Sequence, residues 1–330
     1  MMNRRGWAAS VIALAMSLSA CGGGEATTET ASGDDPGPTI NVAYQPGLSY
    51  APFVVMKVEG LIEEEIPGVE VEWQTLGSGT DIRDAIQGGR LDIGAGGVPP
   101  ILIGIDTGVP YKIAGGMNNY PSALLTMDDS IQSLADIGPE DKIAVTTPGA
   151  TQDLTLRKLA DEQFGEPNRF EDQLLALPHP DAVAALETGA IAVHGSNTPF
   201  QNSQIAAGAR SLGDLYDAFG ESTLIVAYAG QPFHDERPEQ YAAFRAALAE
   251  ALRILQEEPE RAAEALASEQ EGADVDDLLE QITDPELTWT ETPTGTFAIA
   301  EFMAEIGLLS EPLDDWRDVV WPDVAELEGS

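Results

Sequence analysis

The chain has 330 residues, 43% of them hydrophobic, with 16 Lys and Arg against 56 Asp and Glu, a formal net charge of −40. So negative a surface excludes nucleic acid and anionic lipid headgroups as partners of the folded part. A single cysteine excludes internal disulfides, and acid excess with only four lysines fits either a high-salt habitat or a lineage of biased composition.

Residues 1–20 read as a signal peptide. Arg4 and Arg5 form a positive n-region, "WAASVIALAMSLSA" is apolar but too short to span a bilayer as a stable helix, and small residues precede Cys21. "LSAC" resembles the lipobox of bacterial lipoproteins, which implies cleavage before Cys21, lipidation of its thiol and export. The alternative is a signal-anchor with an incidental cysteine. Residues 21–38, rich in Gly, Thr, Ser, Asp, Glu and Pro, have almost nothing to bury and read as a flexible tether reaching about 20–25 Å.

From Thr39 strands alternate with helices. "TINVAY" precedes a helix over "APFVVMKVEGLI"; "VEVEWQTL" leads through "GSGT" to "DIRDAIQGG"; "LDIGAG" leads to "VPPILIGIDTG". "YKIAGG", "SALLTM" and "KIAV" follow, the last ending in a Pro148-Gly149 turn that opens a helix at Thr151, Gln152 and Asp153. The alternation resumes with "QLLALP", "PDAVAALETG", "IAVHG" and "TPFQNSQIAAG". This order predicts an α/β fold with mainly parallel sheets. From Pro238 onward nearly all is predicted helix, with the loop "LTWTETPTG" excepted. Trp289, Trp316 and Trp321 are assigned to packing of those helices.

The chain also echoes itself. "DAIQGGRLDIGAGGVPP" (84–100) aligns without a gap with "AALETGAIAVHGSNTPF" (184–200), and "VAYQPGLSYA" aligns with "AVTTPGATQD", setting Pro46-Gly47 against Pro148-Gly149. General βα grammar accounts for part of this, because Gly ends helices and Pro starts them. The remainder predicts two similar lobes with like loops facing each other. Ligands of open α/β sheets bind beyond the carboxyl ends of the strands, against helix N-termini.

"NVAYQPGLSYAPFVVMK", "GSGTDIRDAIQGGRLDIG", "GVPYKIAGG", "SLADI…DKIAVTTPGATQDLTLRKLA" and "DAVAALETGAI" together resemble the substrate-binding proteins of ABC importers of the nitrate/taurine/sulfonate type, a group that includes binders of thiamine precursors. "AVHGSNTPFQ" departs from the family's Trp-Glu-Pro-Phe-like segment, matching at Pro199 and Phe200 but not at Ser196 and Asn197. The resemblance implies a type II periplasmic-binding-protein fold that closes on its ligand by a hinge. It places lobe 1 at 39–120 and 229–330, lobe 2 at 121–228, and crossings near Asn119–Leu125 and Thr223–Gly230. It implies a lipid-anchored extracytoplasmic protein, at the cell surface or in the periplasm, that hands a small solute to a permease and its ATPase. Sensing without transport is the alternative, and a purely structural surface lipoprotein a third. A monomer is expected, with no cofactor and no metal.

Enzymatic readings have little to stand on. His179, His194 and His234 lack metal-ligand spacing, "GSGTD" lacks the Lys of a phosphate loop, and the related enzymes that make the thiamine pyrimidine need a cysteine this chain does not place in a site. The expected ligand contacts are Tyr44, Gln45, Ser49, Tyr50, Ser78, Thr80, Gly97, Asn118, Thr147, Thr151, Gln152, Asn197 and Phe200. Ser49, Thr80 and Thr151 serve equally well as helix caps, and Tyr44, Tyr50 and Phe200 as packing. His194 is expected to be hydrogen-bonded structure. The five expected cleft loops, 44–51, 77–81, 95–99, 146–153 and 194–201, contain no Lys or Arg. That leaves a sulfonate or nitrate held by helix N-termini, or a neutral or weakly cationic heterocycle stacked on tyrosine and paired to Asp81 or Asp153.

Overall fold

The computed structural model describes residues 37–270 and 272–330. The signal peptide, Cys21 and the tether to residue 36 lie outside the described residues. The chain runs β1 (Ile40–Tyr44), α1 (Ala51–Glu59), α2 (Leu61–Glu65), β2 (Val71–Thr75), α3 (Gly79–Gln87), β3 (Ile93–Gly97), α4 (Val98–Asp106), β4 (Tyr111–Asn119) and β5 (Ala123–Thr126). It continues through β6 (Ile143–Val145), α5 (Thr151–Phe164), β7 (Leu174–Ala176), α6 (His179–Glu187), β8 (Val193–Gly195), α7 (Phe200–Ala206), β9 (Arg210–Asp214), α8 (Leu215–Phe219) and β10 (Thr223–Gly230). The last part holds α9 (Gln231–Glu236), α10 (Pro238–Glu257), α11 (Pro259–Ser268), α12 (Val275–Ile282), β11 (Thr288–Trp289) and α13 (Thr296–Glu305).

These strands form two sheets, ordered β11-β4-β10-β3-β1-β2 and β7-β6-β8-β5-β9. In the first, β1 lies parallel between β2 and β3, and β10 then runs antiparallel to β3. In the second, β6 lies parallel between β7 and β8, and β5 runs antiparallel to β8. Each sheet therefore repeats one plan, with β1, β2 and β3 answered by β6, β7 and β8. The echo in the sequence is this repeat: 84–100 covers the end of α3, β3 and the start of α4, and 184–200 covers the end of α6, β8 and the start of α7. The α/β class with two sheets is as the alternation predicts.

The chain leaves the first sheet between Asn119 and Ala123, within the span expected for the first crossing. It returns between Asp214 and Thr223. Thr223–Gly230, expected as the second crossing, is instead β10, paired to β3 through Ile225 opposite Gly97 and to β4 through Thr223 opposite Asn119. A division at 228/229 would cut this strand. All eight of its residues are buried, so its pattern marks a central strand without indicating which sheet it joins.

The largest apolar core lies around the first sheet, where α10 packs on α1 and α2 and α11 packs on α1. Two smaller cores flank the second sheet. Trp289, Trp316 and Trp321 are buried in the largest core. The expectation of helix almost throughout the C-terminal part holds only to Glu305. After it Gly307 turns with φ +75° and the remaining described residues form turns and short 3-10 segments, because Pro312 and Pro322 interrupt any regular helix.

Candidate functional site

Between the carboxyl ends of the two sets of strands lies a narrow cavity of about 50 Å³. By that measure a single water needs roughly 10–15 Å³, so the space suits a solute of a few non-hydrogen atoms. The first sheet contributes Gln45, Pro46 and Tyr50 after β1, Gly79 and Thr80 at the start of α3, Gly97 and Pro100 at the β3–α4 junction, and Leu224 and Ile225 of β10. The second contributes Thr146, Thr147, Ala150, Thr151 and Gln152 around the start of α5, His179 at the start of α6, and Asn197 after β8. None of these residues carries a full charge.

The start of α5 shows how the sequence builds this wall. Thr151 is the first helical residue, the N-cap is Ala150, and no side chain caps the helix. The first-turn N–H groups of Thr151 and Gln152 are thus left for another acceptor. At α3 the Ser78 hydroxyl caps only the Asp81 N–H, so the Gly79 and Thr80 amides remain open toward the cavity. Two positive helix ends therefore meet across the space. The two sides already touch, since a Cβ placed on Gly97 would sit 2.5 Å from the Thr151 hydroxyl oxygen. Only glycine permits that approach.

Of the residues expected from sequence, the structure brings together Gln45, Tyr50, Thr80, Gly97, Thr147, Thr151, Gln152 and Asn197. Tyr50 accepts a hydrogen bond from Gln45 Nε2 at 2.8 Å, and burial holds its hydroxyl protonated far above the usual range. Asn197 Oδ1 is buried without a hydrogen-bond partner. The others fall outside the lining. Tyr44 packs edge-on against Phe53 and Trp73. Ser49 is fully buried, and its carbonyl accepts from Asn118 Nδ2 at 2.6 Å. Ser78 is the α3 cap, and Phe200 stacks on His179 with ring centroids 5.3 Å apart.

The carboxylates expected to pair an amine also face elsewhere. Asp81 accepts from the Ser78 hydroxyl at 2.8 Å. Asp153 accepts the Gly149 N–H at 2.7 Å and Arg157 Nε at 2.9 Å; burial pushes its carboxyl up, and those two partners oppose the shift.

Sequence reasoning missed His179. His194 is hydrogen-bonded structure as expected, but its partner is His179, at 3.0 Å. The packing of α6, which His179 opens, against β8, which holds His194, makes this pairing, and the only signal in sequence was that His179 closely follows a strand and His194 lies in one. Gly79, Pro46, Pro100, Thr146, Ala150, Leu224 and Ile225 were also missed, the last two because β10 was taken for a crossing. Among the described residues no group of three or more His, Cys, Asp or Glu could hold a metal ion, and no helix is long and apolar enough to cross a membrane.

The sequence profile of the NMT1-like family matches residues 33–268. No curated protein matches the chain. Among solved structures, the periplasmic aliphatic sulphonate binding protein of Escherichia coli is similar, at 22% identity over 87% of this chain and 99% of that one, with a TM-score of 0.67. The alkanesulfonate-binding protein of Xanthomonas axonopodis pv. citri, bound to MOPS, is 19% identical over 86% and 98%, with a TM-score of 0.71. The periplasmic nitrate-binding protein of Synechocystis PCC 6803 is 16% identical over 84% and 83%, with a TM-score of 0.70. These likenesses establish the periplasmic-binding-protein fold.

Proposed function

The chain belongs to the NMT1-like family, and from that premise we propose that it is the solute-binding component of an ABC-type importer. It is held outside the cytoplasm by lipid on Cys21, captures a small sulfonate- or nitrate-like anion between two lobes, and presents the closed form to a permease. Each sheet with its helices acts as one lobe, and the paired connections before Ala123 and before Thr223 act as the hinge. The observation that carries this reading is the cavity itself: the start of α5, which no side chain caps, and the start of α3, where Ser78 caps only the Asp81 N–H, line a space of about 50 Å³ with no ionised side chain in its wall. The names of the sulfonate- and nitrate-binding structures support the same solute class. A cationic heterocycle is less well served, because Asp81 and Asp153 are engaged elsewhere.

A thermal-shift panel of sulfonates, nitrate and thiamine-precursor pyrimidines tests the reading. A solute at a hundredfold excess over its dissociation constant adds about 2.7 kcal/mol of stability. A saturable shift with an anion, lost when Thr151→Ala is combined with Tyr50→Ala, is the expected result. A folded protein that responds to no solute contradicts it. A solute response in a host that encodes no cognate permease would favour a sensor instead.

A further inference from the structure

Two histidines meet at the cavity, His179 in its wall and His194 buried beside it. His179 Nδ1 and His194 Nε2 lie 3.0 Å apart, and His194 Nδ1 lies 2.9 Å from Gln204 Oε1, which also accepts from the Ser196 hydroxyl. Because Gln204 presents an oxygen, His194 carries its proton on Nδ1 and leaves a lone pair on Nε2. His179 fills that lone pair with its own Nδ1–H. His179 lines the cavity, and its Nε2 makes no hydrogen bond among the described residues, so it is the nitrogen available to a bound solute.

Both rings are held neutral. Burial pushes His179 down to about 3, helped by the neighbouring ring, and pushes His194 down to about 4 against the opposing bond to Gln204. No ionised group faces the pair from the elements around it. β5, β6 and α7 carry none, and Asp181 and Glu187 of α6 are exposed. On α5, which packs against β8 through Gln152 at Gly195, Asp153 is held by Gly149 and Arg157.

A small anion entering this cavity meets N–H donors but no cation, and an unbalanced charge in a buried site is costly. We propose that the site takes up its anion together with one proton, held on the His179–His194 pair, which makes His179 the specificity-determining contact. The proposal rests on the anion-binding reading above. The proton comes from bulk water and settles on His179 Nε2. The chain of bonds then runs one way: the anion accepts from His179 Nε2–H, His194 Nε2 accepts from His179 Nδ1–H, and Gln204 Oε1 accepts from His194 Nδ1–H. One negative and one positive charge enter together, so the cavity stays neutral overall. Phe200, stacked at 5.3 Å and 22° on His179, offers its ring face to the imidazolium.

The test is titration calorimetry on the full chain in neutral detergent, with sodium nitrate and sodium methanesulfonate, from pH 5.5 to 7.5. Bis-Tris and imidazole are the buffers, because sulfonate buffers would compete for the site. The expected result is a dissociation constant that rises about tenfold per pH unit, with binding heats that differ between buffers by the ionisation of one proton per anion. His179→Gln, checked for folding by circular dichroism, should bind with no dependence on pH or buffer. Should that variant fail to fold, the buffer comparison on the unaltered protein decides alone. Anion binding that is indifferent to pH and buffer overturns the proposal, as does failure of both anions to bind at any pH. In the latter case an uncharged aminopyrimidine that does bind would show that solute capture survives without the proton.

Discussion

Arg157 and Asp153 form an ion pair with both side chains almost fully buried, and Asn168 and Glu171 complete the guanidinium's partners. Removing the cation alone leaves a carboxylate stranded beside the α5 start, so Arg157→Ala should cost about 3–5 kcal/mol at pH 7 in chemical denaturation. The loss should shrink as pH falls into the carboxylate range, because burial raises the Asp153 pKa and the stranded carboxyl is then neutral. A variant whose loss is the same across that range would show that the pair does not matter electrostatically. The two histidines give the opposite sign. Their folded pKa values lie below the unfolded value of about 6.5, so their contribution is complete above that pH and is lost as pH falls toward 4. At pH 5 each ring accounts for roughly 2 kcal/mol of lost stability. A His179→Gln, His194→Gln protein should therefore show a flatter stability profile between pH 6.5 and 5, read by urea unfolding of the solute-free protein. At this scale the sequence exposed the residues within each loop, such as Thr151 and Gln152, because their neighbours define the helix start. It could not expose His179 beside His194, because that contact depends on how α6 packs against β8.

Helix α5 begins without a side-chain cap, as α4 and α6 do, but its start lines the cavity. Ala150 has the extended backbone of an N-cap, φ −70° and ψ 167°. Ala150→Ser should therefore stabilise the protein by about 0.5–1 kcal/mol, as an N-cap hydroxyl does, while weakening solute binding at least tenfold because the hydroxyl competes for the same N–H groups. Melting temperature and titration on one preparation read both effects, and a gain in both would contradict the role given to this helix start. Elements were legible where βα grammar is local, as in the echo of 84–100 and 184–200. They were not legible where a uniformly buried run such as β10 could serve either sheet, or where the turns after Glu305 carry scattered apolar residues that only tertiary packing arranges.

For the whole molecule, a net charge of −40 means that like charges repel across every surface. Raising salt from about 0.01 M to about 1 M shortens the screening length from roughly 30 Å to roughly 3 Å, so the melting temperature should rise with sodium chloride and at least as much with sodium sulfate at matched ionic strength. A flat or falling curve would show that attractive pairs outweigh the excess. The proposed function depends on closure of the two lobes, and Gly97 and Thr151 meet where the two sides of the cavity come together. The most direct measurement is titration of nitrate and methanesulfonate into the protein and into Gly97→Val, with folding of both checked by thermal unfolding. The account predicts saturable binding to the unaltered protein and at least a hundredfold loss in the variant, whose side chain holds the cleft open. Equal affinity in the two, or no binding by a folded unaltered protein, would contradict capture by closure.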